Sequence, residues 1–234
     1  MKKTALVLGG SGGIGSAIVQ SLRTDYETVV VGYHDTKPKS NTETAVIDLT
    51  KPNASRKAVQ KLLQEGFIFD TVIHAASPSI TYQKFTTVPL TIFEQQYAVA
   101  VISFVAILQE IVPFMQKNNG GRIIAISSAL AHNVPTSQLS FYISAKQALM
   151  GLCKALAVEF APYHITVNTI SPGVTDTAFL NTFPPQMKHL ARAKIPLKEL
   201  LEPRDIANCV KFLCSEQARM ITGIDIPVAG GMVM

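Results

Sequence analysis

"LVLGGSGGIG", residues 6–15, joins a short run of Leu and Val to a segment with helical spacing. A chain that leaves a strand and turns straight into a helix needs residues without Cβ atoms, because the backbone folds close upon itself. The helix that follows points unpaired N–H groups and the positive end of its dipole at that turn. A pyrophosphate can approach such a surface and meet backbone alone. Two registers fit: Gly10, Gly12 and Gly15 as G-x-G-x-x-G, and Gly9, Gly13 and Gly15 as G-x-x-x-G-x-G. A tight turn with no ligand would use the same residues. Its place after the first strand of an alternating chain favours a dinucleotide site.

The alternation runs outward from there. Leu-, Val- and Ile-rich runs predict strands over 3–9, 27–33, 43–49, 70–76, 122–127, 164–170 and 224–228. Helical spacing predicts helices over 14–23, 55–66, roughly 89–117, 141–160 and 203–215. Strands that are apolar almost throughout are buried on both faces, and strands that alternate with helices build βαβ units. The expected architecture is α/β: a single-domain Rossmann fold over residues 1–234, with a doubly wound parallel sheet of about seven strands flanked by helices. The strand at 164–170 is expected to halt at "SPG".

Composition agrees with a folded core. The 234 residues are 47% hydrophobic and 16% charged, which excludes a disordered chain. A net charge of +5 is spread along the sequence without a basic arm or zinc-finger spacing, so no nucleic-acid partner is expected. Cys153, Cys209 and Cys214 form no CxxC pair and are expected to be core residues, with no metal site. The apolar stretch 97–108 is shorter than the roughly 20 residues a membrane span needs. "MKKTALVLGG" (1–10) runs into a glycine turn where a signal peptide would continue apolar, so a cytoplasmic protein is expected.

The strand at 27–33 ends in "VGYHDTK". An acid at its last position would bind the adenosine ribose and favour NAD. Tyr33 stands there instead, and His34, Lys37 and Lys39 follow, suited to a 2′-phosphate. Asp35 argues the other way. The reading favours NADP(H), with NAD(H) possible.

Four further stretches come in a fixed order: "VIDL" (46–49), "GRIIAISS" (121–128), "YISAK" (142–146) and "VNTISPGVTDT" (167–177). Together with the glycine turn, they resemble the short-chain dehydrogenase/reductase family, over essentially the whole chain. "AKIPLKELLEPRDIAN" (193–208) is most similar to its 3-oxoacyl-[acyl-carrier-protein] reductase branch. The resemblance implies a catalytic set of Ser128, Tyr142 and Lys146. It implies cofactor contacts from Gly9, Ser11, Gly12, Gly13, Ile14 and Gly15 in the turn, and from Tyr33 and His34. Asp48 and Leu49 would lie at the adenine, and Ala75, Ala76 and Ser77 along the cofactor. Tyr142, Lys146, Pro172, Gly173, Val174 and Thr177 would lie at the nicotinamide end. Each residue also has a plainer reading: Ser128 as a strand-end cap, Asp48 as a helix-capping acid, Pro172–Gly173 as a turn.

The implied activity is reversible hydride transfer between a nicotinamide cofactor and a carbonyl or alcohol, with Tyr142 as acid and base. Ser128 would hold the substrate oxygen. Lys146 would lower the Tyr142 pKa from its ordinary value of about 10 and bind the nicotinamide ribose. Two positions depart from the family. His74 replaces an asparagine that steadies the central sheet, and Ala100 stands where an asparagine anchors a water relay to the lysine. A backbone carbonyl with waters could still serve the relay, or Ser103 or Gln96 could compensate. Without compensation, a nucleotide-binding scaffold or sensor of the same fold is the alternative. The resemblance further implies fatty-acid metabolism, a substrate lid near 177–198 and a homodimer or homotetramer. The substrate would be a small carbonyl or alcohol, possibly carrier-protein-bound. His132, Asn133 and Gln138 are expected near the pocket.

Overall fold

The computed structural model describes residues 3–38, 42–132, 136–177, 180 and 185–233, with the side chains of 185–187 left aside. Seven parallel strands form one sheet: β1 (Thr4–Leu8), β2 (Thr28–Tyr33), β3 (Thr44–Val46), β4 (Thr71–His74), β5 (Gly121–Ile126), β6 (Ile165–Pro172) and β7 (Asp225–Val228). Their spatial order is β3-β2-β1-β4-β5-β6-β7. The order reverses between β1 and β4, which is where an open α/β sheet leaves a crevice at its carboxyl ends.

The helices are α1 (Gly13–Leu22), α2 (Pro52–Gln64), α3 (Leu90–Tyr97), α4 (Ser103–Lys117), α5 (Ser140–Phe160), α6 (Pro185–Lys194) and α7 (Pro203–Cys214). Successive strand residues point to opposite faces. Leu6, Leu8, Val30, Val72, Ile123 and Val167 pack on one side with apolar residues of α2, α4 and α5. Ala5, Val7, Val31, Ile73, Ile124 and Ile170 pack on the other with α1 and α7. Both faces are covered, as the unbroken apolar strands required.

Among the boundaries that differ from the sequence reading, three have a clear local reason. β3 ends at Val46 because Asp48 turns the chain, accepting the Thr50 N–H at 3.0 Å. β6 runs through Ser171 to Pro172 instead of halting at 170. Its last pair with β5 is Ile126↔Ile170, so the N–H that Pro172 lacks is not required by β5. The long helix expected over 89–117 is interrupted by a π-helical turn, Ala98–Ile102, where the Ser103 N–H reaches back to the Ala98 carbonyl. The whole stretch Leu90–Lys117 is 28 residues, long and apolar enough to cross a membrane, which corrects the expectation drawn from 97–108 alone. Its most apolar window is 56% buried within the protein, the placement of a core helix.

Candidate active site

The glycine turn is held by contact. Gly9 has φ +76°, and a Cβ there would lie 2.7 Å from the Ala76 backbone. A Cβ on Gly15 would lie 2.1 Å from the Gly9 carbonyl oxygen, so the first turn of α1 sits directly on the loop. Gly12 precedes α1, and no acidic residue occupies the helix's first turn to compete for its dipole. A Cβ on Gly13 would meet Thr177 at 2.9 Å, so the segment after β6 closes over the turn.

A cleft of about 610 Å³ opens beside this turn, lined by Gly9, Ser11, Gly12, Tyr33, His34, Asp48, Leu49, Ala75, Ala76 and Ser77, all expected from the sequence. Ile14 instead packs toward the α1–α7 core, and Gly15 is buried beneath the loop. Ile92, Gln95 and Val99 are among the further lining residues and were missed. Their spacing of three and four is a helical stripe, a signal that was present in the sequence.

Past the end of β2, His34 lies between two carboxylates, Nδ1 3.1 Å from Asp35 and Nε2 3.5 Å from Asp48. Burial pushes the Asp48 carboxyl up. Hydrogen bonds from the Thr50 hydroxyl (2.5 Å) and Lys51 (3.1 Å) outweigh it and leave the group below its ordinary value. Asp48 therefore shapes the turn into α2 and lines the cleft at once.

The second cluster sits past the ends of β5 and β6. Ser128 caps the short 3-10 turn Ala129–Ala131, accepting the Leu130 N–H at 3.2 Å. The nearby Ser128 hydroxyl favours the phenolate of Tyr142, but burial is the larger cause and raises the Tyr142 pKa, which corrects the expectation that Lys146 lowers it. Tyr142 and Lys146 are successive turns of α5 on one face, with the Lys146 Nζ 5.7 Å from the Tyr142 ring centroid. Lys146 is 3% exposed. It donates to the Ile126 carbonyl at 2.8 Å, and burial lowers its pKa to about 8.

A family model described as enoyl-(acyl carrier protein) reductase matches residues 9–233. The 3-oxoacyl-[acyl-carrier-protein] reductase of Buchnera aphidicola is 30% identical over 242 residues, covering 100% of this chain and 98% of its own. The chain belongs to the short-chain dehydrogenase/reductase family. Two solved structures at 27% identity also superpose over 99% of this chain and 98% of theirs. One is a 3-ketoacyl-(acyl-carrier-protein) reductase from Brucella melitensis complexed with NADH, at a TM-score of 0.89. The other is a blue fluorescent protein from a metagenomic library in complex with NADPH, at 0.90.

The glycine cradle fits the cofactor this short-chain dehydrogenase/reductase would need, with backbone in place of side chains at the turn and a helix N-terminus facing it. Other expected residues fall differently. His132 is anchored to the sheet: Nε2 lies 3.0 Å from the Ser171 hydroxyl and 2.9 Å from Asp225. Ser171 and Thr169 also donate to Asp225, so the loop after Ser128 is tied to β6 and β7. Gln138 has φ +65°, and its carbonyl accepts the Gln83 N–H at 3.0 Å. Asn133 lies outside the described residues, as do 178–179 and 181–184 of the expected lid. The Ser103 hydroxyl is committed to the Leu49 carbonyl at 2.7 Å, which corrects its reading as a substitute for the missing asparagine. Gln96 is buried on α3. The basic residues around α6 fold back on their own segment: Lys188 pairs with Asp176, Arg192 donates to the Lys198 carbonyl, and Lys198 to that of Ala193.

Proposed function

We propose that this protein is an NAD(P)(H)-dependent oxidoreductase that interconverts a carbonyl and an alcohol, with Tyr142 as acid and base. The observation that supports this reading is the grouping of Ser128, Tyr142 and Lys146 past the carboxyl end of β5, in a chain whose glycine turn at the carboxyl end of β1 presents bare backbone. A nicotinamide cofactor, when bound, supplies or accepts the hydride. Gly9, Ser11, Gly12 and Gly13 would hold its pyrophosphate, and Asp48 and Leu49 its adenine. Thr177, with Pro172, Gly173 and Val174, would hold the nicotinamide end.

The protein's own residues handle the proton and the substrate oxygen. In reduction, the Ser128 hydroxyl donates a hydrogen bond to the substrate carbonyl, polarising it and fixing it beside the phenol. Tyr142 then delivers its proton to the oxygen as the alkoxide forms. A phenol is protonated at neutral pH, and burial raises its pKa further, so Tyr142 rests as the acid that reduction requires. The Lys146 ammonium, one turn away, offsets the charge left on the phenolate. In the oxidative direction the same groups act in reverse.

Tyr33 in place of an acid at the end of β2 supports NADP(H), with NAD(H) as the second candidate. The ratio of kcat/KM for NADPH and NADH tests this, and a ratio below one overturns the preference. An acyl thioester is the favoured substrate class, in a cytoplasmic setting and as part of fatty-acid metabolism. Turnover of acetoacetyl-CoA against simple ketones and quinones, followed at the reduced-cofactor absorbance band, tests the class. The exposed Ile102 and Phe114 on the long helix and Val158 on α5 support a homodimer or homotetramer. A single monomeric species in sedimentation at micromolar concentration overturns that.

A second reading is a nucleotide-binding scaffold with weak or no turnover. Ala100, whose side chain cannot anchor a relay water, favours it. Cofactor binding without turnover across the full panel would establish the scaffold and overturn the enzyme.

A further inference from the structure

Ser128 and His132 are the two ends of one short turn. Ser128 starts the 3-10 turn Ala129–Ala131, and His132 closes it, its N–H donating to the Ala129 carbonyl at 3.2 Å. The turn fixes the Ser128 side chain, because the Leu130 N–H donates to its Oγ at 3.2 Å. That bond uses a lone pair and leaves the hydroxyl proton for a substrate oxygen. Three residues of 3-10 helix do not hold their own shape, since they form too few bonds to offset the ordering of the chain. The turn needs an anchor outside itself, and the His132 ring supplies one.

Asp225, at the start of β7, receives that anchor. Its Oδ1 accepts from the Thr169 and Ser171 hydroxyls of β6. Its Oδ2 is buried and has no partner among the described residues besides the His132 Nε2 at 2.9 Å. The Ser171 hydroxyl lies 3.0 Å from the same nitrogen and has spent its proton on Asp225, so it can only accept from the ring. Both groups that Nε2 meets are acceptors, which places the imidazole proton on Nε2 and makes the ring a donor. Gln147, the residue after Lys146, donates to the Ala131 carbonyl. The turn is thus clamped between α5 and the edge of the sheet at β6 and β7.

We infer that His132 is a positioning residue for the reaction: its Nε2–H, held by Asp225, fixes the turn that aims the Ser128 hydroxyl at the substrate oxygen. The inference rests on the proposed role of Ser128. The same carboxylate holds Ser171, which directly precedes Pro172 and Gly173. One side chain on the last strand therefore sets the spacing between the turn that bears Ser128 and the strand end that leads into the proposed nicotinamide segment.

Epistasis with Ser128 tests this. His132→Leu should lower kcat about tenfold to a hundredfold, the scale of a displaced reacting group, with cofactor affinity unchanged in fluorescence titration. His132→Gln, whose amide nitrogen reaches the place of Nε2 and donates there, should restore most of kcat. In a Ser128→Ala background, His132→Leu should change kcat by about twofold or less, because the hydroxyl it positions is gone. A loss of equal size in both backgrounds overturns the role, since damaged packing acts alike in both. A Gln variant as slow as Leu, or a Leu variant as fast as wild type, overturns it as well. A second readout needs no turnover. The Leu130 amide, which reports the Ser128 contact, should exchange about tenfold faster or more in His132→Leu and near the wild-type rate in His132→Gln. Unchanged Leu130 exchange in His132→Leu overturns the inference whatever the kinetics. A wild-type protein that turns over nothing overturns the proposed function, and Leu130 exchange then still decides whether His132 holds the turn.

Discussion

Replacing Lys146 by Met should make the protein more stable and inactive. The ammonium is buried, and burial lowers its pKa from 10.5 to about 8. At 1.36 kcal/mol per pH unit, the charged form costs the folded state about 3 kcal/mol. Met fills similar volume without charge, but leaves the Ile126 carbonyl without its donor, a loss of about 1–2 kcal/mol. The net expectation is a gain of about 1–2 kcal/mol at pH 7, or several degrees in Tm. The pH dependence makes the argument specific. A base with a depressed folded-state pKa destabilises fully below that pKa, and the cost disappears as pH rises toward the unfolded value. The wild-type protein should therefore gain on Lys146→Met between about pH 8 and 10.5, and the gap should reverse at the upper end, where only the orphaned carbonyl remains. Other titrating groups, such as the buried cysteines, are common to both proteins and cancel in the difference. Urea unfolding at a series of pH values measures it. A variant less stable at pH 7, or a gap that does not change with pH, would refute the assignment of burial as the dominant cause.

Three further outcomes follow from the geometry. Tyr142→Phe removes only the phenolic oxygen and should lower kcat by ~10²–10⁴ while leaving cofactor affinity intact, as read by steady-state kinetics and fluorescence titration. Gly9→Ala forces a Cβ against the Ala76 backbone at positive φ, so about 2 kcal/mol or more of stability and much of the cofactor affinity should be lost together. An unchanged Tm with unchanged cofactor binding would contradict the packing described for the turn. His132→Leu cuts the tie to Ser171 and Asp225 and should cost about 1–3 kcal/mol in urea unfolding. Hydrogen exchange at 129–132 should rise with it, and protection equal to wild type would show that the loop is held elsewhere.

Most elements of this fold were legible because each carried its own local signal; α6, in the stretch read as a lid, was not. Residues 6–15 show a strand, a turn that needs missing Cβ atoms and a helix start in one stretch, and β1 and α1 lie within a residue of the places read. Tyr142 and Lys146 were legible because a helix converts a spacing of four into a shared face. The features that escaped depend on contacts the linear pattern does not encode. The π-helical turn lies in "AVAVI", which is apolar on every side and so gives no phase from which a widened turn could be detected. The tie between His132 and Asp225 joins a loop to the last strand, and nothing near either residue signals the other. His74 could be seen as a departure from the family, but its stacking on Phe104 required the packed structure.

The two outer strands carry a consequence for how copies of this chain can meet. β3 has three residues, and β7 has four with Pro227 among them. An edge this short, or one lacking an N–H in its middle, is a poor template for another strand. Neither outer strand offers a long ladder to another strand, so helix faces present the broader surface on which copies of this chain could meet, and there side-chain shape would set the geometry. The short edges also leave the folded chain with little exposed ladder from which cross-strand aggregation could start.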